Sequence, residues 1–135
     1  MGQQQLLLIV VGIVVVGLAV ITGIETFRQQ STSNQVDDVL NRNLRIAQEA
    51  MNWRGRATMY GGGAGSFAPL LNDGLSQLGV GDVPYAEHAI VSATGNTLEI
   101  VGVSTRAPNV GAYTRLVGSV IDSSSVSTDG SITLP

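Results

Sequence analysis

Only a few side chains in this sequence have the chemistry to bind or react. His88 stands alone in a chain with one histidine, no cysteine and no lysine. Strand alternation puts its neighbour Glu87 on the opposite face, which leaves metal ligation or acid–base work at His88 without a partner. Asp73, Asp82, Asp122 and Asp129 sit beside glycine or serine as turn residues do, and no EF-hand spacing joins them into a calcium loop. Gly61-Gly62-Gly63-Ala64-Gly65-Ser66 has the composition of a phosphate-cradling loop. It lacks the lysine and the strand-to-helix setting of a P-loop, and a flexible connector is expected there. Arg54 and Arg56 end a helical stretch, facing DNA, an acidic neighbour or plain solvent. With 7 basic against 10 acidic side chains and a net charge of -3, no broad basic surface is available to nucleic acid. No catalytic residue, metal site, cofactor or small-molecule substrate is expected, and the chain is expected not to be an enzyme.

The aliphatic side chains carry the stronger signal. Hydrophobic residues make up 44% of the sequence against 4% aromatic and 13% charged, and the excess lies in residues 6–24. Leu6, Leu7, Leu8, Ile9 and Val10 open that run. Ile13, Val14, Val15, Val16 and Leu18 continue it, and Val20, Ile21 and Ile24 close it before Glu25, the first charge. Gly12, Gly17, Thr22 and Gly23 are its interruptions; the glycines are candidates for close helix packing or local melting. A helix of this length, at about 1.5 Å per residue, matches the roughly 30 Å hydrocarbon core of a bilayer. A cleavable signal would be shorter and begin with a basic flank, and a plain anchor would carry lysine or arginine on its cytoplasmic side. Met1-Gly2-Gln3-Gln4-Gln5 supplies neither, which implies that a leader has been removed.

Beyond Arg28 the pattern changes. Val36, Leu40, Leu44, Ala47 and Met51 recur every three or four residues, as one stripe of a helix does. Asp38 with Arg42, and Arg45 with Glu49, are opposite charges at i,i+4. One helix is therefore expected from near the N-terminus to about residue 54, apolar all round and then amphipathic, with Gly55 as its stop. Ser66 is read as the cap of one short helix whose buried side is Leu70, Leu71, Leu75 and Leu78, ended by Gly79 and Gly81. Residues 86–92 and 97–104 read as a hairpin around Thr94-Gly95-Asn96. Residues 113–121 read as a further strand, and residues 124–134 as a last segment broken at Asp129-Gly130. Helices first and strands after give an α+β fold: a long N-terminal helix packed on a small antiparallel sheet of three to five strands. The expected division is an apolar helix in residues 1–30 and a head in residues 31–135. Within the head, the amphipathic half-helix runs to about 54, the glycine loop and short helix fill 55–85, and the sheet fills 86–135.

This order resembles the type IV pilin superfamily, and Met1-Gly2-Gln3-Gln4-Gln5-Leu6-Leu7-Leu8-Ile9-Val10 looks like a mature pilin N-terminus. The resemblance implies a peptidase-generated, methylated Met1 and a subunit that leaves the inner membrane and polymerises with itself into an extracellular filament. Adhesion, motility or surface interaction would be its role, and a pilus assembly machinery its partner before polymerisation. Where that family has a glutamate pairing with a neighbour's terminal amine, this chain has Gln5. A minor pseudopilin of a type II secretion-like machine, a membrane-tethered binding module, and an archaeal pilin or archaellin are the alternatives. Archaellins carry a β-sandwich, so strand count separates them.

Overall fold

A computed structural model describes residues 2–81 and 83–135. The N-terminal processing expected at Met1 and the turn role expected of Asp82 lie outside the described residues. The chain divides into two compact units, Met1–Ser33 and Asn34–Pro135.

Helix α1 is unbroken over Gly2–Arg54. Its glycines Gly12, Gly17 and Gly23 interrupt nothing, since each costs only about 1 kcal/mol relative to alanine and the flanking residues are strong apolar helix formers. The head unit contains the last turns of α1, two 3-10 turns (Thr58–Tyr60 and Ala68–Leu71), helix α2 (Gly74–Gln77) and strands β1 (Ala86–Ala93), β2 (Thr97–Ser104), β3 (Gly111–Val117) and β4 (Val120–Ser127). The strands form one antiparallel meander in the order β1-β2-β3-β4, an α+β fold with α1 packed on the sheet.

The packing explains itself by side-chain parity. Leu98, Ile100 and Leu116 share the inner face of the sheet and meet Ile46, Ala47, Ala50 and Trp53 of α1, with Phe67 and Leu70 closing the side. The small alanines let helix and sheet approach closely. Val39, Ala86 and Ala112 form a second cluster.

Four local expectations are corrected. The helix stripe is rotated: Val39, Asn43, Ile46, Ala47, Ala50 and Trp53 are buried, whereas Leu40 and Met51 are half-buried. A purely apolar template passes over Asn43, which belongs to the core because its amide is bonded there. The short helix is two pieces: Ser66 Oγ accepts from Ala68 N at 3.2 Å within a turn, and Leu71 is exposed. Residues 113–121 span a hairpin rather than one strand, because Gly118 takes a positive φ of 66° and reverses the chain. Val120 and Ile121 therefore start β4, which ends at Ser127 before the Asp129 turn. Finally, neither i,i+4 pair closes among the described residues; Arg42 Nη2 instead donates to the Gly81 carbonyl at 2.7 Å.

Candidate functional site

The apolar half of α1 is the largest unexplained surface. Every described residue from Gly2 to Gln30 is exposed. The large aliphatics of residues 6–24 are between 51% and 70% exposed, and Phe27 reaches 74%. Added methyls at Gly12, Gly17 or Gly23 would meet nothing within 4 Å. The two hydroxyls in and beside this segment are satisfied along the helix itself: Thr22 Oγ1 donates to the backbone carbonyls of Leu18 and Ala19, and Thr26 Oγ1 to that of Thr22 at 2.9 Å. With its backbone bonded internally and its hydroxyls turned back, the segment presents an apolar cylinder that lipid or another apolar helix can surround at no polar cost. Gln5 is exposed within α1, whose first turn holds no acid.

At the other end of α1 the glycine loop folds back and bonds to the helix end. Gly63 N donates to Trp53 O at 3.1 Å and Gly65 N to Arg54 O at 2.8 Å, so the loop takes up the last two carbonyls of the helix, and Ala64 N bonds to Arg56 O just beyond it at 2.9 Å. A Cβ on Gly63 would stand 2.2 Å from Ser66 O and 2.4 Å from Trp53 Cζ3, which is why the residue is glycine. Arg54 is spent internally: Nε donates to Gly65 O and Nη2 to Asn96 Oδ1, both at 2.9 Å, and its guanidinium lies 5.0 Å from the Phe67 ring centroid. This corrects the outward role expected of Arg54. Glycine count gave the loop, whereas its bonds to the helix end depend on the fold.

His88 lies on the inner side of β1, half-buried opposite Gly102 of β2 and Asn43 of α1. A Cβ on Gly102 would fall 2.6 Å from His88 Nε2 and 2.8 Å from Asn43 Oδ1. Asn43 is fully buried and its Nδ2 donates to Ala112 O at 3.0 Å, while Asn43 Oδ1 and His88 Nε2 have no hydrogen-bond partner among the described residues. Burial holds the His88 pKa below its ordinary value; a hydrogen bond to the Val39 backbone opposes this and the Arg42 charge reinforces it. Open cavities of about 430 and 200 Å³ flank it; the first also meets Glu87, Thr105 and Leu134, and the second Leu70, Leu71, Asp73 and Ile90. No cluster of three metal-ligating side chains occurs among the described residues.

The turn aspartates separate. The Asp129 carboxylate accepts from Ser127 Oγ and Ser131 N, with Ser131 Oγ donating to Ser127 Oγ beside it, and these serines lower its pKa to about 2. Asp73 has a positive φ of 58° before α2. Asp122 is corrected from turn to strand: it lies on β4, 3.9 Å from Arg115 Nη1, with Glu99 3.9 Å from Arg115 Nε on the other side.

The molecule is thus of the class that joins a membrane-competent apolar helix to a small α+β head. Comparison with known proteins yields no matching family model, no similar curated protein and no similar solved structure.

Proposed function

We propose that this chain is a structural subunit of a type IV pilin-like extracellular filament, held in the membrane by the apolar half of α1 before assembly and polymerised through it afterwards, and that it is not an enzyme. One observation carries the reading. The head closes its own core from Val39, Ile46, Ala50, Trp53 and the sheet, and leaves the aliphatic surface of residues 6–24 wholly uncovered. A surface of that size requires a partner, and an apolar helix satisfies it equally in lipid and among copies of itself. The fully apolar circumference is compatible with polymerisation as well as with lipid, and the continuity of this segment with the amphipathic half of α1 supports the filament reading. A single four-stranded sheet supports the pilin-like over the archaellin-like alternative, which would need a sandwich.

Immunogold electron microscopy of producing cells tests it. Labelled filaments on the surface are expected; recovery of the chain only as a non-polymerised membrane protein would leave the tethered head as the correct description.

A further inference from the structure

We infer that residues 132–135 form a detachable strap, seated across the outer face of the sheet by Ile132 and Leu134, which lifts off as one unit while the head stays folded and so opens the cavity beside His88. The strap concerns the head alone and does not rest on the filament reading.

Its seat is built into the strands. Register sets Glu87, Val103, Gly111 and Ser127 in one row across β1, β2, β3 and β4. Alternation puts this row on the face opposite Leu98, Ile100 and Leu116, away from the core. Ile132 lies directly on Gly111: a Cβ there would stand 2.9 Å from Ile132 Cβ, 3.0 Å from its Cγ2 and 3.2 Å from its carbonyl oxygen. No positive φ calls for glycine at this strand position, so what glycine supplies is room for Ile132. Further on, Leu134 forms one wall of the cavity of about 430 Å³ together with Ala86, His88 and Thr105. Ile132 and Leu134 are half-buried while Thr133 and Pro135 are exposed, the alternation of an extended segment laid on a surface.

The fastening stops at the turn before it. Gly130 N donates to Asn109 O at 3.0 Å and Ser131 N to Asp129 Oδ1 at 2.9 Å, which fixes the chain up to Ser131. Beyond that point no backbone hydrogen bond joins residues 132–135 to the head among the described residues. A segment held by two half-buried side chains and no backbone bond lies at the low end of local opening free energies, whereas the core around Ile46 and Trp53 opens only with the whole head. Ile132 and Leu134 share one short extended segment, so losing either seat removes the constraint that places the other.

His88 is the chain's one histidine, and its ring C–H signal in NMR spectra of the full-length protein in detergent reports on the cavity without ambiguity. Burial keeps its pKa below 6.5. Arg42, whose charge acts on it, and Glu87 and Asp73, which line the flanking cavities, stay in place in every variant. Leu134→Ser should move the His88 midpoint up toward 6.5. Ile132→Ser and Gly111→Ala should move it equally although neither residue lines the cavity, and Ile132→Ser combined with Leu134→Ser should move it no further than either alone. The urea midpoint read by Trp53 fluorescence should hardly change in Ile132→Ser, in contrast to its fall in Ile46→Ala, a truncation at a fully buried core position. A His88 midpoint unmoved by Ile132→Ser, additive shifts in the double variant, or a urea midpoint that falls as far as in Ile46→Ala overturns the proposal. Ile132→Ser decides the outcome if Gly111→Ala fails to fold.

Discussion

At the scale of single residues, the head is built around polar groups that sequence patterning does not weigh. Asn43 takes a helix position that an apolar residue would fill, and its buried amide ties α1 to β3 through the Ala112 carbonyl. A buried hydrogen bond of this kind contributes about 1 kcal/mol, and losing one partner costs about 1–3 kcal/mol. His88 shares the same polar spot and is kept neutral by burial, with Arg42 of α1 adding to the effect; Glu87 on β1 and Asp73 before α2 are the acids near the cavities beside it. The sign follows from linkage. Above the unfolded value of 6.5 both states are neutral and the full stability is present. As pH falls below it, the unfolded chain binds a proton that the fold resists, and stability is lost. Thermal melts of the full-length protein should show a midpoint falling below pH 6.5, and His88→Gln should flatten that fall; an unchanged pH profile in the variant would assign the acid sensitivity elsewhere.

At the scale of elements, the end of α1 decides how the head is tied together. The loop after Arg54 returns to cap the helix, and Arg54 bridges that loop to the β1–β2 turn through Gly65 and Asn96. Gly63 makes this possible by admitting the Trp53 ring and the Ser66 carbonyl within a methyl's distance. Gly63→Ala has no soft neighbour to displace, and overpacking of this kind costs about 1–3 kcal/mol or more. Gly95→Ala, where the added carbon meets only Ser66 Oγ at 3.9 Å, should be near neutral. Urea midpoints read by Trp53 fluorescence check the pair: a large fall is expected for the first and almost none for the second.

At the scale of the whole molecule, two units divide the work. The head has its own core, and the apolar unit up to Ser33 contributes none of the buried hydrophobic residues. Under the proposed function, the aliphatic side chains of residues 6–24 leave lipid for close packing against neighbouring copies, a dispersion gain spread over the whole segment that does not depend on an ion pair at the N-terminus. Gln5→Ala should still give filaments. Val15→Asp would bury an unpaired carboxylate among neighbouring helices and should abolish them, while leaving the urea midpoint of the head unchanged. Filament counts by electron microscopy, taken alongside the unfolding curves, read both variants; the reverse outcome would remove core packing as the driving force. Much of this was legible from the sequence alone. The nineteen-residue charge-free run, the helix end near 54, the strand 97–104 and the α+β order follow from periodicity and composition, which are local properties that need no partner. The rotation of the buried stripe, the split short helix, the Gly118 hairpin, the spent Arg54 and the seat of Ile132 on Gly111 came only from tertiary structure. Each depends on which residues distant in sequence meet, and a hydrogen bond between Asn43 and Ala112, or a helix end capped by a loop folded back on it, has no period along the chain from which it can be read.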